Sequence, residues 1–300
     1  MSTRMTETVE LAGRPNLAHL YATALRPVRS RPRSLPAVEL VLGGVIVDRD
    51  HLAAYDRVCG FRLSDHLPPT YPHVLAFPVQ LQLMTDAAFP FALAGMVHIR
   101  NVITALRPIA AATTLTLRVR AERLAAHPRG AQVDLVGEGY DDSGNGEEIP
   151  VWTSRSTYLA RGAVAPGSDH AAEAAAADAP SPPVDLSATG GAIWRVRGDT
   201  GRRYARVSGD INPIHLHPLS ARMFGFPGAI AHGMWAKARS LAALDARLPE
   251  ALTADVTFQR PLPLPSVVWF VAHQASDRWE FGVLPTADGR PHLTGIVTPA

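Results

Sequence analysis

The sequence predicts an α+β chain of two similar halves, each reading helix first and antiparallel sheet after. Three observations carry this: strand-length segments that alternate apolar and polar residues, a break in that pattern at residues 162–190, and a short repeat across the break. With 300 residues, 47% hydrophobic and 19% charged, the chain can bury one large core or two ordinary ones.

Residues 1–36 read as an N-terminal extension. Inside it, residues 26–36 hold three prolines and four arginines, which bar regular structure and leave an extended basic arm. The first domain is expected at 37–161, with strands at 37–42, 95–102, 114–123, 131–140 and 150–160. Leu115, Leu117 and Val119 alternate there with Thr116, Arg118 and Arg120, the pattern of a strand with one buried face. At 162–190 alanine, proline, serine and aspartate replace any periodicity, as in a flexible linker. The second domain, 191–300, reads as a strand at 192–196, helices at 200–208 and 230–248, and strands at 254–259, 267–273, 279–284 and 292–297. The 230–248 helix carries only Lys237, Arg239, Asp245 and Arg247 among many alanines and leucines, as expected of an element wrapped by a sheet.

The halves also match locally. Residues 55–63 laid on 204–212 agree at Tyr, Arg, Val and Gly with an offset of 149, and Arg107-Pro108 and Arg260-Pro261 each follow a strand at an offset of 153. The two registers agree with each other and with the linker between them, which implies a duplicated unit with diverged copies.

Composition excludes several classes. A net charge of +2 is too mild for a nucleic-acid binder. The single cysteine, Cys59, excludes a disulfide framework and any thiolate zinc site. No run of about 18 apolar residues marks a membrane span, and the N-terminus lacks an apolar secretory core, so the cytoplasm is the expected compartment.

Chemistry concentrates between Tyr204 and Met234. Ser208-Gly209-Asp210 followed by Asn212-Pro213 is turn chemistry that stops the preceding helix and presents Asp210 and His215 on an irregular segment. A carboxylate and an imidazole five residues apart can converge on one water as general acid and base. The same residues also suit a turn cap and a core histidine. His215 and His217 could form a metal pair, but no third ligand stands at a helpful spacing, and no metal or other cofactor is expected.

The run SGDxNPxHxxxxxA, then Gly225-Phe226, then AHGM at residues 231–234, resembles the hydratase-2 signature of the MaoC-like (R)-specific enoyl-CoA hydratase and dehydratase family. That resemblance extends over most of residues 37–300 and implies a double hotdog, two repeats of an antiparallel sheet wrapped around a central helix. It implies reversible hydration and dehydration of trans-2-enoyl and (3R)-hydroxyacyl thioesters of coenzyme A or acyl carrier protein. It also implies catalytic roles for Asp210 and His215, an oxyanion donor in the Gly233 amide, and supporting roles for Asn212 and Ser208. His217 stands where the family commonly has an acidic or amide residue. The resemblance leaves a homodimer open, with no nucleic-acid partner.

Where the second copy has Asp210 and Asn212, the first has Phe61 and Leu63, so one active site per chain is expected. Residues 75–84 of the degenerate copy are read as a wall for a long acyl chain. Arg202, Arg203 and Arg206 form a basic cluster before the site. Two rival readings are a hotdog thioesterase, which needs a differently placed base, and a noncatalytic acyl-thioester-binding subunit.

Overall fold

The computed structural model describes residues 6–24, 31–142, 144, 147–165, 184, 186, 191–287 and 289–300. Most of the expected linker and residues 26–30 of the basic arm lie outside them.

The elements run β1 (Glu7–Glu10), α1 (Leu17–Ala24), β2 (Val38–Val45), α2 (Arg49–Cys59), α3 (Tyr71–Thr85), β3 (Met96–Ala105), β4 (Leu115–His127), β5 (Gly130–Asp141) and β6 (Ile149–Arg161). They continue with β7 (Gly191–Val196), α4 (Thr200–Ser208), α5 (Pro213–Leu216), α6 (Pro218–Met223), α7 (Gly233–Leu244) and a 3₁₀ turn (Asp245–Arg247). Strands β8 (Leu252–Phe258), β9 (Ser266–Ala275), β10 (Arg278–Pro285) and β11 (Leu293–Pro299) close the chain. This is the α+β double hotdog expected from the sequence.

Two compact units divide these elements, and the division does not follow chain order. Unit 1 comprises Met1–Ile46, Leu75–Asn101 and Thr113–Pro180; unit 2 comprises Val47–Val74, Val102–Ala112 and Ser181–Ala300. Helix α2, which belongs to the first half of the sequence, packs within unit 2.

In unit 1 the strand order is β1-β2-β4-β5-β6 followed by the first part of β3, up to Asn101, with β1 parallel to β2 and β2, β4, β5 and β6 antiparallel in turn. Leu115, Leu117 and Val119 are fully buried, and on the other face Arg118 and Arg120 pair with Glu39, Glu138 and Glu148, as the alternation predicts. Helix α3 lies against β5, with Gln80 beside Gly137. Of the basic arm, Arg31 is anchored by donating from Nη1 to the Phe89 carbonyl at 2.9 Å. Strand β1 and helix α1 lie in the N-terminal extension, before the basic arm. Four residues of strand are too few to show a period, so pairing with β2 decides β1.

In unit 2 the order is β8-β11-β10-β9-β7, each pair antiparallel. Helix α7 packs on this sheet, and its one lysine, Lys237, is fully buried and donates from Nζ to the Ala254 carbonyl at 2.9 Å. Burial pushes the Lys237 amine well below its ordinary range. The helix expected at 230–248 is shorter, because Ile230 instead bridges to Pro263 and His232 takes the N-cap position. No helix among the described residues is long and apolar enough to cross a membrane.

The repeat is visible inside unit 2. Helices α2 and α4 end alike, Gly60 (φ 87°) and Gly209 (φ 75°) each donating its amide four residues back, to Asp56 and Ala205. Both glycines adopt the left-handed conformation that L side chains resist. Equivalent residues also touch: Tyr55 and Tyr204 ring centroids lie 6.2 Å apart, and Thr104 and Thr253 share a hydroxyl hydrogen bond of 2.9 Å.

Asp56 carries a measurable consequence. Its side chain is buried, Oδ1 has no hydrogen-bond partner among the described residues, and burial together with Asp245 raises its carboxyl to about 7. A folded-state pKa above the unfolded value of about 3.9 means the neutral carboxyl is favoured by folding. That contribution is full below about pH 4 and is lost as pH rises to about 7. Asp56→Asn should therefore flatten stability between pH 5 and pH 7, where the wild type loses on the order of 2 kcal/mol, as read by urea unfolding at each pH.

Candidate active site

The residues after α4 are held by short-range turn chemistry. The Asp210 amide donates to Ser208 Oγ at 3.2 Å, and the Asn212 amide donates to Asp210 Oδ1 at 3.2 Å. Asn212 then caps α5, its Oδ1 accepting from the Ile214 amide, with Pro213 in the first turn where its missing N–H costs nothing. His217 caps α6 in the same way, its Nδ1 accepting from the Leu219 amide at 3.2 Å. The imidazole thus acts as the cap acceptor that Asp or Asn supplies at many helix starts. It also sets His217 to capping rather than to a metal pair with His215.

Helix α5 brings His215 back beside Asp210. Gly201 on α4 permits this, because a Cβ there would collide with the His215 carbonyl. The His215 Nδ1–H donates to the Ile230 carbonyl at 2.8 Å. A carbonyl only accepts, so the ring holds its proton on Nδ1 and presents a bare Nε2. Burial lowers the His215 pKa against the opposing pull of Asp210, which keeps the imidazole neutral at pH 7.

A third side chain joins them. His232 stacks on His215 with ring centroids 3.7 Å apart, and its Nε2–H donates to the Asp210 carbonyl at 2.9 Å. Burial, with His215 alongside, pushes His232 down to about 3, so it too is neutral. Tyr204 backs the His232 ring at 4.9 Å. Asp210, His215 and His232 each offer a ligand atom within 4.8 Å of the others, the one such cluster among the described residues. The two rings are tilted by 27°, and each donates one N–H to a backbone carbonyl, which leaves His215 Nε2 and His232 Nδ1 as unprotonated nitrogens in the cluster with the Asp210 carboxylate.

Gly233 follows as the first residue of α7. Helices α2, α5 and α6 are capped by Asp48, Asn212 and His217, but the N-cap of α7, His232, makes no side-chain cap hydrogen bond. The positive end of α7 thus begins directly after the cluster. A Cβ on Gly233 would meet the Phe258 ring at 3.0 Å.

The sequence is similar to known proteins over nearly its whole length. The MaoC like domain matches residues 182–276. The chain is 36% identical over 289 residues to 3-hydroxyacyl-thioester dehydratase X of Mycobacterium tuberculosis, covering 95% of this chain and 98% of that protein. This chain belongs to the MaoC-like dehydratases. The crystal structure of HtdX from the same organism matches with a TM-score of 0.73 at 35% identity, covering 87% of this chain and all of that one. A MaoC-like dehydratase from Phytophthora capsici shares the fold, with a TM-score of 0.70 at 19% identity over 89% of this chain and 96% of that one.

In this MaoC-like dehydratase, then, Asp210, His215, Asn212, Ser208 and Gly233 fall along one continuous segment, joined by His232 and Gly201, which the reading of site residues had omitted. His232 was visible within AHGM, but nothing local ties it to a residue 22 positions earlier. In the first copy Phe61 is buried against Tyr55 and Leu63 is exposed, with no carboxylate at either place.

Gly233→Ala tests the start of α7. Crowding against Phe258 should lower stability by about 1–2 kcal/mol and displace the first amide of the helix, cutting turnover by at least about tenfold, measured as melting temperature and kcat on the same preparation.

Proposed function

We propose that the chain is a hydro-lyase that adds water reversibly to trans-2-enoyl thioesters and removes it from (3R)-hydroxyacyl thioesters. The observation that carries this reading is the juxtaposition of Asp210 with a neutral His215 whose Nε2 is bare. One water held between the carboxylate and Nε2 is oriented toward C3 and loses a proton as its oxygen bonds there. A proton from the same pair goes to C2, so that H and OH are added and the pair ends as it began. The Gly233 amide at the uncapped start of α7 donates to the thioester oxygen, where negative charge develops. Asn212 and Ser208 hold the loop that carries Asp210. The acyl carrier is coenzyme A or acyl carrier protein, and the compartment is the cytoplasm. Cys59 supports a reducing setting only passively: it is buried, and burial pushes its thiol up and keeps it protonated.

The test is loss of enoyl-thioester absorbance with crotonyl-, octenoyl- and dodecenoyl-CoA and with the matching acyl carrier protein substrates, followed by stereochemical analysis of the product. Formation of the (3R)-alcohol supports the reading. Binding without turnover on every substrate would replace it with the noncatalytic one.

A further inference from the structure

Basic charge is concentrated in this chain. Residues 195–239 contain seven arginines and one lysine against two aspartates, a net +6, whereas the whole chain is +2 and the remainder therefore −4. Part of this charge lines a cleft of about 250 Å³ in unit 2, away from Asp210, His215 and His232. Its walls include Arg195 on β7, Arg197 just after that strand, Thr200 and Arg203 on the first turn of α4, and Arg239 on α7. Helix α4 is nine residues long, so this end stands roughly 12 Å from the Asp210 end.

Three features make the cleft a prepared site rather than a solvated face. Arg239 is half-buried and held: its guanidinium lies over the Trp194 ring at 5.2 Å and occupies the space that any side chain on Gly60 would take. Trp194 itself stacks on Phe270, ring centroids 4.5 Å apart. Second, among the described residues only Arg197 of the four arginines is ion-paired, with Asp199 at 2.9 Å. Third, Asp199 is the N-cap of α4 but makes no side-chain cap hydrogen bond; its carboxylate pairs with Arg197 instead.

We propose that this cleft binds a phosphate ester. Four guanidiniums against the single Asp199 carboxylate leave an excess of about three positive charges beside a helix N-terminus, which one carboxylate would not balance and a phosphate or pyrophosphate would. The volume is below the roughly 300 Å³ at which drug-sized ligands begin to be enclosed, so the cleft takes the phosphate-bearing end of a larger molecule. That end comes either from the nucleotide arm of a coenzyme A thioester or from a free nucleotide.

Binding of ADP, 3′,5′-ADP and coenzyme A, followed by calorimetry and by quenching of the cleft tryptophans, tests the site independently of turnover. The double variant Arg195→Ala/Arg203→Ala alters two exposed side chains and preserves the fold. It should bind at least one of these probes about tenfold more weakly than the wild type, with a shallower dependence on salt. If the substrate supplies the phosphate, KM for crotonyl-CoA rises by a similar factor while activity on an N-acetylcysteamine thioester, which has no phosphate, is unchanged. If a free nucleotide supplies it, ADP binding is lost and KM for crotonyl-CoA stays the same. Wild type that binds none of the probes, or a variant that binds all of them as the wild type does, overturns the proposal.

Discussion

Asp210→Asn lowers turnover of a trans-2-enoyl thioester by at least about 10²-fold while the protein stays folded. The amide keeps the shape of the carboxyl, and its oxygen can still accept from the Asn212 amide, so the loop between α4 and α5 has no reason to rearrange. What is lost is the group that can hold a proton and return it. KM should change far less than kcat, because the carboxylate acts on the water rather than on the bulk of the acyl chain. Full activity in a variant with wild-type melting behaviour would remove Asp210 from the chemistry. A variant that unfolds would instead show that the carboxylate holds the loop, and circular dichroism separates the two.

The second large effect is expected at His215. His215→Ala should cost about 10²–10⁴ in kcat, the span typical of a positioned general base. The pH profile of the wild type adds a signature that simple packing loss cannot imitate. Burial lowers the His215 pKa below its ordinary 6.5, and the base works only when neutral. Turnover should therefore rise with pH along an acid limb lying below pH 6.5 and be level by about pH 7. An acid limb centred above pH 7 would contradict a buried, neutral imidazole. His215→Gln keeps an N–H that can reach the Ile230 carbonyl but has no basic nitrogen, so it should fold better than the alanine variant and be no more active.

Much of the secondary structure was legible because its signals are local. The alternation at residues 115–120, the Gly209 stop and the Asn212-Pro213 cap depend on residues within a few positions of one another. Helix α3 was less legible. It is apolar on nearly every side and carries Pro78, so no 3.6-residue stripe announces it. The burial of Lys237 was not legible at all, since a lone lysine among alanines reads as a solvated position until a strand carbonyl is brought to it.

For the candidate site the division is equally physical. Asp210 and His215 could be named together because five residues of turn chemistry fix their separation. Their protonation could not, because tautomer and pKa come from groups that are distant in sequence: the Ile230 carbonyl, the stacked His232 ring and the burial around both. Sequence by itself determined the family, the α+β repeat and the segment that carries the chemistry, since each rests on short-range pattern. Only the tertiary structure decided that α2 of the first half packs in the unit that holds the cluster, that His232 joins it, and that dispersed arginines line one cleft. Those outcomes depend on closing long loops against the entropy of the chain, and the contacts that repay that cost are spread over segments no local pattern links.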